Sequence, residues 1–281
     1  PHPLLEQGVV EERLAALEKA VLAIDGVNAS LAVTDRYLTL DAWRAVEYAN
    51  ALSEENRDRH VIYLSGRNTT AEEIAQLADA AAKSRLFNVI PVSGNAIPGD
   101  SVRECRKRIF NESVGVIRDL AVQNRPFFLG GTVNPYQYTP YTLTGQYFKL
   151  VRKLNAGASF VVAQAGWDML KLQSLRWYFT GRSLYYPMIA RLVLLTPNLV
   201  EKILAGEYPG INISPDFRKI LEKELRYSLN QFEAAQYRRL ELQAAGCRLL
   251  GYSGIQLAGA ETPARAKIAA ERIGNALREF N

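Results

Sequence analysis

Four side-chain amides give this sequence its best means of recognising a flat, polar ring. Asn95, Asn134, Gln164 and Gln256 recur at or near the ends of apolar runs that read as strands. An amide offers a donor and an acceptor side by side and does not titrate, so it suits a heterocyclic edge and leaves reactivity to a bound cofactor. Groups for acid–base or nucleophilic chemistry are sparse. No two carboxylates fall at two strand ends, as hydrolytic acid–base catalysis requires. Asp35 and Asp168 come nearest, and each reads either as a helix cap or as an acid. Ser253, in Gly251-Tyr252-Ser253-Gly254, lacks the spacing of a nucleophile elbow. Cys105, placed in a loop, and Cys247, placed at a strand start, have no adjacent histidine and read as structural. Two cysteines and two histidines (His2 and His60) supply neither a four-ligand zinc site nor a disulfide framework, so no metal is expected.

Two further groupings leave alternatives open. Tyr136, Tyr138 and Tyr141 share one predicted loop, where they either stack on a ring or pack the loop onto its support. Arg103, Arg106, Lys107 and Arg108 form the densest basic cluster, either a solvated turn or a phosphate-contacting loop. A formal charge of +5, from 34 basic and 29 acidic residues, favours anionic ligands. No basic tract runs along a helix face, so nucleic acid is not an expected partner. No apolar run approaches the roughly 18 residues of a membrane span, and the first residues lack a secretory pattern. A cytoplasmic protein without membrane attachment is expected.

The elements that must position these residues alternate regularly. Apolar runs at Val27–Thr34, His60–Ser65, Phe87–Val92, Phe127–Val133, Phe160–Gln164, Tyr185–Leu195 and Arg248–Tyr252 read as seven strands. Amphipathic segments at Val9–Ile24, Asp41–Leu52, Ala71–Lys83, Ser113–Val122, Thr144–Asn155, Asp168–Phe179, Asn198–Ala205 and Pro263–Phe280 read as helices. One or two more helices are expected between Pro215 and Ala245. Apolar strands alternating with helices imply a parallel sheet covered by helices. The fold class is therefore α/β, a (β/α)8 TIM-type barrel with extra helices before its last strand. Only the strand preceding the first helix has no counterpart, so the expectation is that it is missing or truncated at the N-terminus. The 281 residues are enough for one such barrel, and a single domain over 1–281 is expected. In such a barrel the active site gathers at the C-terminal strand ends. These are Thr34-Asp35-Arg36, Ser93-Gly94-Asn95, Asn134-Pro135-Tyr136, Ala163-Gln164-Ala165 and Tyr252-Ser253-Gly254.

Taken in order, several segments resemble the methylenetetrahydrofolate reductase family, FAD-binding (β/α)8 barrels. The stretch Lys153-Leu154-Asn155-Ala156-Gly157-Ala158-Ser159-Phe160-Val161-Val162-Ala163-Gln164 looks like that family's K-x-x-A-G-A-x-F-x-x-T-Q signature. The strand Phe127–Val133 with Asn134-Pro135 resembles one ending in Asn-Pro or Tyr-Pro. Asn88-Val89-Ile90-Pro91-Val92-Ser93-Gly94-Asn95 looks like a strand ending in Arg-Gly-Asp, and Gly210–Pro215 resembles a late Ile-Pro turn.

The resemblance implies a flavin-dependent oxidoreductase that interconverts 5,10-methylene- and 5-methyltetrahydrofolate by hydride transfer. It implies FAD as cofactor, reduced by NAD(P)H or a partner protein. Thr34, His60, Ser93, Gly94, Asn95, Asn134, Tyr138 and Lys153 would then lie around the flavin, with Lys153 on its phosphates, while Gln164 and Asn95 would meet the pterin. The departures are chemical. Ser93-Gly94-Asn95 drops an arginine and a carboxylate, Thr34-Asp35-Arg36 adds charges, and Ala163 replaces a threonine. The family's acid, a glutamate on the first strand, has no match; counting back from Thr34 places it at or before Pro1, with Glu6 the only nearby carboxylate. The catalytic residue is thus unassigned. The alternative is a relative without flavin that binds a folate or one-carbon ligand and serves as an accessory subunit in methyl transfer. A third reading is a barrel enzyme for another planar substrate. A homo-oligomer, or a redox or methyl-transfer partner, is expected alongside the tetrahydrofolate-type substrate.

Overall fold

Capping chemistry carried by the sequence sets most of the helix starts. In a computed structural model, residues 6–24, 26, 28–35, 43–94, 101–123, 125–208 and 210–278 are described. Thr70 Oγ1 accepts from Glu73 N at 3.1 Å while Glu73 reaches back to Thr70 N at 2.6 Å, a reciprocal box that opens the helix Ala71–Lys83. Asp168 Oδ1 accepts from Leu170 N at 3.1 Å at the head of Met169–Thr180, so Asp168 is a helix cap. Thr196, Ser214 and Ser228 do the same for Pro197–Leu204, Pro215–Glu224 and Leu229–Leu249.

The helices are α1 (Gln7–Leu22), α2 (Ala71–Lys83), α3 (Val102–Lys107), α4 (Ser113–Val122), α5 (Pro140–Asn155), α6 (Met169–Thr180), α7 (Pro197–Leu204), α8 (Pro215–Glu224), α9 (Leu229–Leu249) and α10 (Pro263–Arg278). The strands are β1 (Ala32–Val33), β2 (Val61–Ser65), β3 (Asn88–Val92), β4 (Phe128–Val133), β5 (Phe160–Ala163), β6 (Met188–Val193) and β7 (Gly254–Ala258). They follow one another in chain order from β1 to β7. Every pairing with a described register is parallel. Parallel strands in sequence order, each connected through helix, define an α/β fold of the TIM-barrel type.

The chain divides into two compact units. The first comprises Pro1–Thr132 and Lys149–Phe160. Its ladder runs Ala32↔Val61, Val61↔Asn88 and Asn88↔Phe128, over a core that includes Ile62, Leu64, Val89, Ile90, Ile117 and Leu120. The second comprises Val133–Phe148 and Val161–Asn281. There β5 pairs β6 (Ala163↔Ala190) and β6 pairs β7 (Arg191↔Gln256). Leu195, Val200, Ile203, Leu221 and Phe232 form a buried cluster of their own beneath the late helices.

Three expectations need correction. The run Arg248–Tyr252 is not a strand: α9 continues to Leu249, and the strand is Gly254–Ala258. Gly251 (φ +76°) stops the helix in the left-handed region, with Gly251 N donating to Arg248 O and Tyr252 N to Cys247 O. An apolar stretch at a helix terminus carries the same composition as a short strand, and the glycine decides. Tyr252-Ser253-Gly254 therefore precedes the last strand rather than ending it. The expected helix over 41–52 is a 3-10 helix, Ala45–Ala51, followed by a second at Glu54–Arg59; positions 41 and 42 lie outside the described residues. Arg103, Arg106 and Lys107 fall in the short helix α3, opened by a Ser101–Glu104 capping box, not in a loop. Cys105 goes with them, and Cys247 is buried within α9.

Candidate functional site

In the first unit the strand ends are held by internal ties. Thr34 follows β1 and is half-buried. Its neighbour Asp35 is buried and fully committed: it accepts from Arg44 Nη2 at 2.7 Å, Ser65 N at 2.7 Å and Ala45 N at 3.1 Å. A carboxylate with those three partners is a brace between β1 and β2, not an acid awaiting substrate. Gly94 (φ +81°) follows β3 so closely that a Cβ would lie 2.5 Å from Ser65 Oγ, so only glycine fits. Asn95 lies outside the described residues.

Ser93 does enter a polar network. Its hydroxyl donates to Ser113 Oγ at 3.1 Å and accepts from Lys149 Nζ at 3.3 Å, while Lys149 pairs with Glu112 at 2.5 Å. Burial would raise the Glu112 carboxyl, but the Lys149 hydrogen bond and charge outweigh it and hold the pKa below the usual value. One turn further along α5, Lys153 is buried, and its ammonium donates to Thr132 O at 2.7 Å and Thr132 Oγ1 at 3.0 Å. Burial, aided by the neighbouring Lys149 cation, pulls the Lys153 pKa down to about 7, with Glu112 partly opposing.

His60 opens β2, at the end of the strand opposite Ser65. It is wholly buried, with Nε2 2.6 Å from Glu18 Oε1 and Nδ1 accepting from Leu31 N at 3.1 Å. Burial acts to raise the Glu18 carboxyl, yet its bonds to His60 and Ser53 leave the pKa lowered.

The cation contacts that the resemblance implies for a flavin diphosphate need donors left unspent at the strand ends. Lys153 is buried and turned inward with two bonds to Thr132, Lys149 is paired with Glu112, and His60 is sealed at the other end of its strand. As placed, these residues do not fit a flavin diphosphate. Among the described residues there is no group of three His, Cys, Asp or Glu that could hold a metal ion, and no helix is long and apolar enough to cross a membrane.

The second unit gathers the amides. Gln164 directly follows β5; its backbone N donates to Val133 O at 2.7 Å, and its Oε1 accepts from Ala165 N at 3.1 Å and Arg191 Nη1 at 3.4 Å. Asn134 directly follows β4, with Oδ1 accepting from Tyr136 N at 3.0 Å and Nδ2 donating to Gly210 O at 3.2 Å. Gly210 (φ +81°) is also Gln164's neighbour, since a Cβ there would lie 3.2 Å from Gln164 Nε2. Two expected site residues, 30 positions apart in sequence, thus converge on one glycine turn.

The tyrosines separate. Tyr136 is fully buried, its ring so close to Gly166 that a Cβ there would sit 2.4 Å away, and burial pushes its phenol pKa well above the ordinary value. Tyr141 is exposed on α5. Tyr138 remains near the surface with Lys171 Nζ 5.0 Å above its ring, the same lysine donating to Gln137 O at 2.8 Å. They do not form one stacking surface, because Tyr136 packs inward while the chain turns into α5.

Arg191, which sequence reasoning passed over, sits in mid-β6 with Gln256 paired to it on β7. Its signal was a lone charge at an alternating position of an otherwise apolar strand, Met188-Ile189-Ala190-Arg191-Leu192-Val193. Met188, Ala190 and Leu192 are buried, while Ile189, Arg191 and Val193 lie half-buried on the other face.

No family model matches this chain, and no curated protein sequence matches it. Among solved structures, an uncharacterised protein from Clostridium thermocellum that binds two copies of 5-methyl-5,6,7,8-tetrahydrofolic acid is similar over 96% of this chain and 92% of its own. The TM-score is 0.66 at 14% sequence identity. The Yersinia pestis dihydropteroate synthase covers 93% of this chain and 87% of its own at 11% identity, with a TM-score of 0.45. At such identities the first likeness speaks for the fold, and the second is too distant to carry an argument. Neither establishes the reductase family.

Proposed function

We propose that this protein binds a reduced folate of the 5-methyltetrahydrofolate type and acts as a one-carbon-ligand-binding relative of the folate barrels rather than as a flavin-dependent reductase. The observation that carries this reading is the end of β5, where the Gln164 amide faces the Gly210 turn that Asn134 Nδ2 holds in place from the end of β4. A side-chain amide matches a donor–acceptor pair of a pterin edge without supplying an acid, a base or a nucleophile. The C. thermocellum protein supports it, because a fold similar over nearly the whole chain holds 5-methyltetrahydrofolic acid. The reductase reading loses support from Lys153 and His60, whose polar atoms are occupied within the protein.

Anaerobic titration calorimetry with 5-methyltetrahydrofolate tests the proposal, run beside a visible spectrum of the protein mixed with FAD. Saturable folate binding without a bound-flavin spectrum is the expected result. A protein that takes up FAD and whose flavin is bleached by methyltetrahydrofolate would return the reductase reading to first place. A protein that binds neither would overturn both.

A further inference from the structure

Gln164, Arg191 and Gln256 form one row across three neighbouring strands of the second unit. Arg191 of β6 is in register with Gln256 of β7, and Gln164 follows the Ala163↔Ala190 pair of β5 and β6, which places it opposite Arg191. In-register residues of parallel strands project to the same face. All three are half-buried. At the usual interstrand spacing, the row spans about 10 Å, roughly the length of a bicyclic ring.

The guanidinium at its centre is under-used. Arg191 Nη1 reaches Gln164 Oε1 at 3.4 Å, a long contact, and Arg191 Nε is buried with no hydrogen-bond partner. No carboxylate pairs with Arg191 among the described residues. Leaving a buried charged donor unpaired is costly, and a planar fork is satisfied best by two acceptors side by side. A carboxylate also meets such a fork, so the glutamate tail of a folate is the competing occupant. A pterin ring carbonyl, whose oxygen carries two lone pairs, accepts from both arms of the fork, while the ring's neighbouring polar atoms meet the Gln164 amide.

We infer that Arg191 is the specificity-determining residue of the site, reading the ring carbonyl oxygen of a pterin held beside Gln164. The inference rests on the folate-binding reading and adds to it which part of the ligand is read, and by what. The p-aminobenzoyl-glutamate tail then projects away from the row and contributes nothing to Arg191.

Three probes separate the parts: 5-methyltetrahydrofolate, 6-methyltetrahydropterin, which lacks the tail, and p-aminobenzoyl-glutamate, which lacks the ring. Binding is measured by anaerobic calorimetry for the wild type, Arg191→Met and Arg191→Lys. Circular dichroism melting verifies that the variants fold, and Arg191→Lys stands in if Arg191→Met does not. The expected result is at least tenfold weaker binding of both ring-bearing probes by either variant, because lysine keeps the charge and loses the fork. Unchanged affinity for both would overturn the inference while leaving the folate reading intact. Weakening confined to p-aminobenzoyl-glutamate and the whole folate would overturn it too, assigning Arg191 to the tail. A wild-type protein that binds none of the three probes would remove the folate reading and this inference with it.

Discussion

The Lys153 ammonium nitrogen donates to both oxygens of Thr132, at 2.7 Å to the carbonyl and 3.0 Å to the hydroxyl. Burial and the Lys149 charge lower its pKa from 10.5 to about 7. Between those two values the unfolded chain holds a proton there that the folded chain does not. Stability from this group therefore rises with pH across that window and is lost as pH falls toward 7. The slope is about 1.4 kcal/mol per pH unit. Urea unfolding of wild type and Lys153→Met at pH 7, 8 and 9 measures it, since the variant lacks the group. The stability difference between the two proteins should shift by about 1.4 kcal/mol per unit in favour of the wild type as pH rises. A difference independent of pH would mean that Lys153 stays charged in the folded protein.

The Glu18–His60 contact works in the acid range. Glu18 accepts from Ser53 N and Ser53 Oγ, both at 2.8 Å, and meets His60 at 2.6 Å, so α1 is tied to the start of β2 and to the segment between them. Its folded pKa lies below the ordinary 4.5, so its stabilisation is present above that value and disappears as pH drops through the lower folded one. Glu18→Gln should cost about 1–3 kcal/mol at pH 6, the range for leaving buried hydrogen-bond partners unmet. Denaturant unfolding should show the gap narrowing by pH 3.5. An equal gap at both pH values would deny the carboxylate its lowered pKa.

Adjacent glycines of β4 should respond differently. A Cβ on Gly130 would meet the Phe160 ring at 2.5 Å and Ile90 Cγ1 at 2.8 Å, whereas one on Gly131 would touch only Ala158 and Lys153 at 3.4 Å. Phe160 is stacked on Phe128 at 4.9 Å, which restricts its retreat. Gly130→Ala is expected to lose about 1–3 kcal/mol through overpacking, and Gly131→Ala to stay within about 1 kcal/mol. Thermal melts of the two variants decide, and equal losses would mean the ring moves aside.

How much of this was legible beforehand depended on which kind of signal each element carried. Helices with a capping residue at their head, α2 behind Thr70 and α4 behind Glu112, begin and end where the sequence places them, because the cap is local chemistry. Arg248–Tyr252 misled because an apolar helix end and a buried strand share a composition, and only the Gly251 stop separates them. For the site, strand-end position selected Asn134 and Gln164, and they do meet. Nothing local showed that Lys153 turns inward to Thr132 or that His60 meets Glu18, since both depend on partners 21 and 42 residues away. Arg191 was legible as a lone charge within an apolar strand, but its meaning needed the register that sets it between Gln164 and Gln256.

That register makes Gln164→Glu an informative change. A carboxylate in place of the amide would stand about as close to Arg191 Nη1, now 3.4 Å from the amide oxygen, and convert a long contact between a cation and a neutral amide into a partly buried ion pair. The folded protein should hold or gain stability, by up to about 1 kcal/mol if the pair resembles those near surfaces. Ligand binding should move the other way, because the fork proposed to read the pterin would now be occupied, and the amide donor that faces Gly210 would be gone. At least a tenfold loss of 5-methyltetrahydrofolate affinity is expected, with an unfolding temperature equal to or above that of the wild type. Calorimetry and thermal melting on the same sample read both quantities. Loss of binding together with loss of stability would show a damaged fold instead, and retained affinity would show that Gln164 and Arg191 do not meet the ligand.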